Sequence, residues 1–331
     1  MQTLRCMRRA ATYLLRSLPL LGCGGRQSAL DPAGEHAETQ AALFWWMTGG
    51  VVLIWLVVMG LALYAAWTPA RTDLTGPRRL IVWGGVIVPT AVLTVLLVYG
   101  LSMLEPMLAP AAPSSLRVAV TGEQFWWRVR YQPPGASPVE LANEIRLPVG
   151  DEVEFLLDSR DVIHSFWIPA LGGKMDMIPG RQTRLRLVPT RVGEYRGVCA
   201  EYCGSSHAFM SFAVVVQERA DFERWLSSQR EPVPTPTTQL AERGRGLVLS
   251  NGCGACHTLR GTTADGRLGP DLTHVGGRLG LGAGLLPNQA ADFERWLSET
   301  TRRKPGVHMP SFGMLPPEDV GAIATYLKGL E

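Results

Sequence analysis

The chain has 331 residues, which is more than one small domain needs and indicates two or three folded units. Its formal net charge is +3, from 32 Lys and Arg against 29 Asp and Glu, so the composition gives no support for a nucleic-acid-binding protein. Four of the six cysteines form two closely spaced pairs, which argues against the disulfide framework of a short secreted protein.

The first 22 residues are predicted to be a secretory signal peptide. Basic side chains precede and interrupt an apolar stretch there, namely Arg5, Arg8, Arg9 and Arg16. The segment closes on Leu20-Leu21-Gly22-Cys23, which resembles a bacterial lipoprotein cleavage site. Cys23 is therefore predicted to be the lipidated first residue of the mature protein. The alternative is an ordinary signal peptide that happens to end near a cysteine.

Two membrane helices are predicted within residues 41–105, at about 43–66 and 80–104. Residues 41–70 and 80–104 carry no charged side chain, and each run exceeds the ~20 residues that cross a ~30 Å hydrocarbon layer. Arginines dominate the loop between the two runs, where Arg71, Arg78 and Arg79 stand against Asp73. Positive charge favours the cytoplasmic side, so both termini are expected on the outer, periplasmic side of a bacterial inner membrane.

Residues 115–218 are predicted to form an all-β domain. Short runs such as FWWRVRY, EVEFLLD and AFMSFAVVV alternate apolar and polar positions, and turn-forming Pro and Gly residues separate them. Many short strands of even spacing indicate a sandwich or barrel.

One loop of this domain concentrates metal-binding side chains: Cys199-Ala-Glu-Tyr-Cys203-Gly-Ser-Ser-His207-Ala-Phe-Met210. Zinc sites seldom include a thioether, whereas a weak Met ligand is typical of copper sites that transfer electrons. A second imidazole lies upstream at His164. Two thiols, two imidazoles and one thioether are more ligands than one copper needs. Their number suggests two metals with bridging thiolates. A disulfide or a copper chaperone site are the alternatives for the two cysteines.

The loop resembles the binuclear CuA motif of the cytochrome c oxidase subunit II family, which reads C-x-E-x-C-x-x-x-H-x-x-M with an upstream His. The resemblance covers residues 23–230 and implies a cupredoxin-like barrel. It implies that Cys199 and Cys203 bridge two coppers, with His164 and His207 as terminal ligands. It further implies two weak ligands, Met210 and the Glu201 carbonyl, and a magnesium ion that the Glu201 carboxylate shares with subunit I.

Two other positions bear on this resemblance. Phe125, Trp126 and Trp127 resemble the aromatic patch near the copper at which electrons enter in this family, although the family usually has Trp where this chain has Phe125. Core packing by alternate residues is the alternative.

The start of the second helix, Gly76-Pro-Arg-Arg-Leu-Ile-Val-Trp83, lacks the carboxylate that often feeds a proton channel of subunit I in this family, so no such role is expected here.

Residues 219–238 are predicted to be a short helix followed by a Pro/Thr linker. Three alternating prolines favour an extended backbone that reaches on the order of 30 Å over ten residues, enough for a small domain to move over its neighbour. The octet ADFERWLS occurs at 220–227 and again at 291–298, and both copies place Phe, Trp and Leu on one helical face.

Residues 239–331 contain Cys253-Gly-Ala-Cys256-His257, the attachment signature of a c-type haem. A zinc ribbon would need a second C-x-x-C, which the sequence lacks. The region resembles an all-α class I cytochrome c, with Gly269-Pro-Asp-Leu272 at the haem edge. Met309 is predicted to be the sixth iron ligand, with His308 and Met314 as competitors.

The order of these units resembles subunit II of a caa-type oxidase: a multidomain chain with a two-helix transmembrane hairpin, a CuA barrel and a cytochrome c domain. The resemblance implies subunits I and III as partners and cytochrome c or another external donor. Oxygen reduction is then expected in subunit I, with no catalytic residue in this chain. Two alternatives stay open: a subunit of another reductase, such as a nitric oxide reductase, and a membrane-tethered copper-delivery protein.

Overall fold

The computed structural model describes residues 22–68, 75–133 and 135–331. All but the last residue of the predicted signal peptide lies outside the described residues, and so do Arg71 and Asp73 of the loop between the two apolar runs. The chain divides into two compact units. One is Thr39–Pro110, and the other joins the segment up to Glu38 with Ala111–Glu331.

The first unit consists of long apolar helices. Helix α1 spans Glu35–Trp67, whose 33 residues extend about 50 Å at ~1.5 Å per residue. The second helical run consists of α2 (Thr75–Val82), a π-helical turn (Trp83–Ile87), α3 (Val88–Ser102) and α4 (Leu104–Leu108). Glu35–Trp67 and Arg78–Leu108 are both long and apolar enough to cross a membrane, and their most apolar windows are not buried against protein. Apolar side chains exposed on all faces are stable in lipid and costly in water.

The β domain is a sandwich of two five-stranded sheets. One sheet has the order β3-β2-β1-β5-β8 and the other has the order β4-β10-β9-β6-β7. The strands are β1 (Leu116–Glu123), β2 (Trp126–Gln132), β3 (Val139–Ala142), β4 (Glu144–Pro148), β5 (Val153–Ser159), β6 (His164–Trp167), β7 (Met175–Met177), β8 (Thr183–Leu187), β9 (Gly193–Cys199) and β10 (Ser211–Gln217).

Aromatic side chains fill the space between the two sheets. The rings of Phe166 and Phe212 stack with centroids 5.0 Å apart, and Trp127 meets Phe212 edge to face at 5.2 Å. All three side chains are buried. Gly197 is required beside this cluster, because a Cβ there would lie only 2.0 Å from Phe212 Cζ. The strand alternation predicted from sequence therefore places one face of each sheet in a common core.

The N-terminal segment before α1 packs on the β sandwich. The Ala33 N–H donates to the Ala170 carbonyl at 2.7 Å, and the Thr190 N–H donates to the Ala33 carbonyl at 2.8 Å. Asp31 forms an ion pair with Arg191 at 2.7 Å. This segment is therefore fixed to a domain that follows it by more than a hundred residues in the chain.

The C-terminal domain is helical. After α5 (Arg219–Ser228) come α6 (Gln239–Ser250), α7 (Ala290–Arg303) and α8 (Pro317–Lys328). Helices α6 and α8 cross at Gly244, where a Cβ would lie 2.0 Å from the Ala322 carbonyl oxygen. Both copies of the ADFERWLS octet are helical, and both bury their Phe and Leu side chains, as the repeat predicts. A pair of long apolar helices, a β sandwich and a helical domain thus confirm the predicted fold class.

Candidate metal centres

The predicted copper ligands converge where three adjacent strands end. His164 is the first residue of β6, Cys199 is the last residue of β9, and Met210 immediately precedes β10. Because β6, β9 and β10 are neighbours in one sheet, these strand ends meet at one edge. Cys203 and His207 lie in the loop between β9 and β10, which we call the copper loop (residues 200–210).

The ligand atoms lie at the separations of a compact metal site. The two cysteine sulfurs are 3.8 Å apart, and both cysteines are free thiols. His164 Nδ1 lies 3.7 Å from Cys199 Sγ, and His207 Nδ1 lies 3.6 Å from Cys203 Sγ. Met210 Sδ lies 3.8 Å from Cys203 Sγ. The thiol pair thus has an imidazole beside each sulfur and a thioether at one side.

The surroundings favour a thiolate at this site. A hydrogen bond with Cys203 is the largest cause that lowers the pKa of Cys199, and His164 adds to it. Burial alone would lower the pKa of His164, but its hydrogen bonds to Cys199 and Asp161 outweigh burial and raise it. Thiolate is the form in which cysteine binds metal. The electrostatics of the site therefore suit cation binding.

Asp161 orients one of these imidazoles, a role that the sequence analysis did not assign. Its Oδ1 lies 2.8 Å from His164 Nε2, on the side of the ring that faces away from Cys199. An N–H at Nε2 leaves Nδ1 as the free lone pair that faces the sulfur. The only signal in the sequence is the three-residue spacing between Asp161 and His164.

The donor set fits a dicopper centre. Cys199, Cys203 and His164 have ligand atoms within 4.8 Å of one another, and all three residues are buried. The Glu201 carbonyl oxygen lies 3.1 Å from Cys199 Sγ, on the metal-binding side of the loop, while the Glu201 side chain is exposed. A mixed set of thiolate, imidazole, thioether and carbonyl donors is the kind that copper electron-transfer sites use.

The haem-binding signature begins with a short 3-10 turn, Cys253–Ala255, which follows α6 after Asn251 and Gly252. Cys253 and Cys256 are free thiols. His257 Nδ1 is 2.8 Å from the Pro270 carbonyl, which fixes the proton on Nδ1 and leaves Nε2 for a metal. Burial lowers the pKa of His257, which favours the neutral, ligating form. These residues therefore fit the attachment of a c-type haem.

Met309 differs from its two competitors in burial. It is half-buried and packs against the apolar cluster of the helical domain. Met314 is 74% exposed and His308 is also exposed. A ligand that must face a haem embedded in this domain has to contact its apolar interior. The packing therefore favours Met309 as the sixth ligand.

The three aromatic residues that follow Gln124 have different surroundings. Trp127 is fully buried in the sandwich core, with its ring 6.1 Å from that of His164. Trp126 is half-buried and lies under the Arg128 guanidinium at 4.7 Å. Phe125 is only 3% exposed. They form no exposed aromatic surface, because Phe125 and Trp127 are both buried.

Phe125 is covered by the helical domain. A Cβ built on Gly306 would lie 3.1 Å from the Phe125 ring, and one built on Gly204 would lie at the same distance. Gly204 belongs to the copper loop, whereas Gly306 lies three residues before Met309. The ring thus lies between the copper loop and the segment 304–309, which we call the axial loop.

Hydrogen bonds join the copper loop and the axial loop directly. The hydroxyls of Ser205 and Ser206 both donate to the Pro305 carbonyl, at 3.1 and 2.6 Å. Beside this contact, the Ser211 hydroxyl donates to the Ala283 carbonyl at 2.8 Å. Further along the interface, the Leu279 N–H donates to Glu144 Oε2 at 2.7 Å.

Lys304 lies at the centre of this interface. Its ammonium group donates to the Phe209 carbonyl at 2.8 Å and to the Gly282 carbonyl at 2.6 Å. The residue is 2% exposed, and no carboxylate of the described residues lies within ion-pair distance of it. Burial lowers its pKa to about 7. Sequence analysis missed this residue, because a lysine at the end of a helix ordinarily faces solvent.

The first residues of the linker contact the helical domain. The Val233 N–H donates to the Arg260 carbonyl at 2.9 Å, and Pro232 packs against Gly261. The start of the linker thus lies against the helical domain. The reach expected from the sequence is not used in this arrangement, because the two domains contact each other directly.

Known proteins resemble this chain over both domains. The family described as cytochrome c oxidase subunit II, periplasmic domain, matches residues 131–218, and the cytochrome c family matches residues 241–331. Cytochrome c oxidase subunit 2 of Alkalihalophilus pseudofirmus is 32% identical over 340 residues, which cover 95% of this chain and 94% of that protein. Cytochrome c oxidase subunit 2 of Bacillus subtilis is 30% identical over 96% of each chain.

One solved structure is among those similar to this chain. It is the periplasmic domain of subunit II of cytochrome oxidase of Bradyrhizobium japonicum, with 32% identity. The match covers 37% of this chain and 96% of that one, with a TM-score of 0.34.

The fold and the two centres define a membrane-anchored electron-transfer protein with a copper domain of periplasmic type and a c-type cytochrome domain. The chain belongs to the cytochrome c oxidase subunit 2 family. It is subunit II of a haem-copper oxidase, and its CuA domain is fused to a cytochrome c domain. Because its relatives are oxidase subunits, the oxidase is favoured over the nitric oxide reductase and copper-delivery alternatives.

Proposed function

We propose that this subunit accepts electrons from an external donor at its cytochrome domain and delivers them through its copper domain to subunit I. The observation that carries this proposal is the direct contact of the axial loop with the copper loop through Pro305 and Ser206. Phe125, where electrons enter in the family, is covered by the cytochrome domain at Gly306. An external donor would therefore reach the haem before the copper.

Six residues would hold the dicopper centre: His164, Cys199, Glu201 through its carbonyl, Cys203, His207 and Met210. Cys253, Cys256, His257 and Met309 would hold the haem. When bound, the two groups supply reversible one-electron redox chemistry, and a His/Met-ligated haem has a raised potential that suits donation to copper.

The chain's own contribution is a rigid and dry site. His164, Cys203 and Met210 are buried, and the aromatic core directly beneath them excludes water. Asp161 keeps one imidazole in a fixed tautomer, and the Pro270 carbonyl does the same for His257. Ligands that cannot rotate or become hydrated hold one geometry in both oxidation states, which lowers the reorganisation that electron transfer requires.

The position of the N-terminal segment supports a topology with both chain ends outside. Residues before the first apolar helix contact residues that follow the second, as in the bond between Ala33 and Ala170. Both regions must then lie on the same side of the membrane. The arginine-rich loop favours the outer, periplasmic face of a bacterial inner membrane for them. Cys23 is exposed ahead of this segment, where a lipid could be attached.

Membership of the oxidase subunit 2 family suggests the partners of this chain. Subunits I and III would accompany this chain in the membrane, and cytochrome c or another donor would approach from outside. Glu201 belongs to the copper loop, and its exposed side chain could share a magnesium ion with subunit I.

The proposal can be tested on the whole oxidase purified from membranes. A Cys203→Ser variant should lose the copper absorption, while its haem c is still reduced by the donor. Reduction of subunit I should slow by about a hundredfold or more, because a required redox site is lost. A Ser227→Ala variant is the control, since Ser227 is exposed on α5, outside the copper loop. Undiminished reduction of subunit I in Cys203→Ser would contradict the proposed route.

A further inference from the structure

The interface between the cytochrome and copper domains buries a lysine side chain that pairs with no carboxylate of the described residues. Lysine is seldom buried without an ion pair, because its ammonium loses hydration that only strong acceptors replace. Lys304 meets this cost with two carbonyl oxygens, those of Phe209 and Gly282, at 2.8 and 2.6 Å. Such an arrangement survives only where the surrounding structure holds the side chain in place.

The two acceptors belong to different domains. Phe209 lies in the copper loop, between His207 and Met210. Gly282 lies in the cytochrome domain, in the turn that precedes α7, and Lys304 itself follows the end of α7. One side chain therefore connects a loop that carries copper ligands with a loop that leads to Met309.

The neighbouring contacts depend on the same alignment. Pro305 follows Lys304 and accepts both serine hydroxyls of the copper loop, and Gly306 packs on the Phe125 ring. Lys304, Pro305 and Gly306 are consecutive in the axial loop. A displacement of Lys304 would therefore also move the other two residues. A role confined to the end of α7 does not explain these contacts, because neither acceptor of Lys304 belongs to that helix.

We infer that Lys304 is a positioning residue that fixes the cytochrome domain in one docked position on the copper loop, so that haem and copper exchange electrons without a search by the tethered domain. This inference rests on the proposed function. A domain held only by its linker would meet its neighbour at an effective concentration around millimolar, through repeated encounters. A fixed domain needs no encounter, so its transfer should not depend on solvent viscosity.

The test compares two lysine variants in the purified oxidase. Lys304→Met keeps the length of the side chain and removes its charge and donors. Lys328→Met is the matched control, because Lys328 lies in the same domain and donates to the Gly276 carbonyl, away from the copper loop. Absorption bands of the Met-ligated haem and of the copper establish that both centres are assembled. Lys304→Gln serves in its place if the Met variant loses either band.

The first measurement is hydrogen–deuterium exchange of peptides that cover 203–211 and 276–286. Exchange in Lys304→Met should be about tenfold faster than in the wild type and in Lys328→Met, because the docked surface opens. The second is the rate of electron transfer from photoreduced haem c to oxidised copper. It should fall by about tenfold in Lys304→Met and become dependent on viscosity, while both reduction potentials stay unchanged.

The outcomes separate the two hypotheses. Wild-type protection and a viscosity-independent rate in Lys304→Met would overturn the role of Lys304 while leaving the relay intact. If photoreduced haem c failed to reduce copper in the wild-type oxidase, the proposed function would fail, and the inference would fail with it.

Discussion

The copper domain and the cytochrome domain hold their ligands in different ways. His164, Cys199 and Met210 are buried at strand ends and are held by the sheets and the aromatic core. Cys253, Cys256, His257 and Met309 are only half-buried, at the margin of a small helical cluster. The sandwich thus forms its site by itself, whereas the helical domain leaves apolar side chains at a margin that a haem would cover. The cofactor should therefore matter for the folding of one domain and much less for the other.

The largest expected effect comes from preventing haem attachment. In a Cys253→Ala/Cys256→Ala variant, the cytochrome domain should lose its cooperative fold, because Leu272 and Met309 would remain exposed at the edge of its core. Limited proteolysis should then degrade residues after the linker while the copper band persists. If the haem-free domain resisted the protease as well as the wild-type domain does, the cytochrome domain would not depend on its cofactor for folding.

A cavity in the sandwich core should have the next largest effect. Phe166 is buried and contacts Phe155, Phe212 and Trp127. Phe166→Ala should lower the free energy of unfolding of the copper domain by about 3–5 kcal/mol. Urea denaturation of the oxidase, followed through the copper band, measures this change. The haem band serves as the control and should keep its midpoint, and a loss below about 1 kcal/mol would show that the core does not hold the site.

Removal of the carboxylate that orients His164 should affect metal binding more than folding. Asp161→Asn keeps the shape of the side chain but weakens its hold on Nε2–H, so copper affinity should fall by about 10–100-fold. Competition with a copper chelator gives the affinity. Asp158→Asn is a nearby control, since Asp158 Oδ1 is buried and accepts no hydrogen bond from any described residue. Equal affinities for both variants would argue that the strand ends alone orient the imidazole.

The smallest effect is expected at the surface of the N-terminal segment. Asp31→Ala removes the exposed ion pair with Arg191 and should cost about 0–1 kcal/mol, because water and salt screen such pairs. The thermal midpoint of the copper domain should barely change, and added salt should narrow the remaining difference. A loss of several kcal/mol would mean that this segment is part of the folding core.

The sequence predicted the local features well and the contacts between domains poorly. Apolar runs predicted both membrane helices, but α1 begins at Glu35 rather than near 43, because a helix continues past the lipid into polar residues. Most of the predicted copper and haem ligands lie at short spacings that the chemistry requires, whereas His164 and Met309 were predicted from the resemblance to the family. Asp161 and Lys304 act through partners whose positions depend on tertiary structure, and Lys304 meets Phe209 across 95 residues of chain. No local pattern encodes such a partner.

The attachment of the N-terminal segment also has a consequence for biogenesis. Gly34 pairs with Pro189, so the chain closes a loop that includes both membrane helices and most of the sandwich. A ribosome delivers the N-terminal partner long before the sandwich residues that receive it. The segment must therefore wait outside the membrane until β8 and β9 have formed, and its docking is a late step of assembly. Cys23 is accessible to a modifying enzyme throughout that interval.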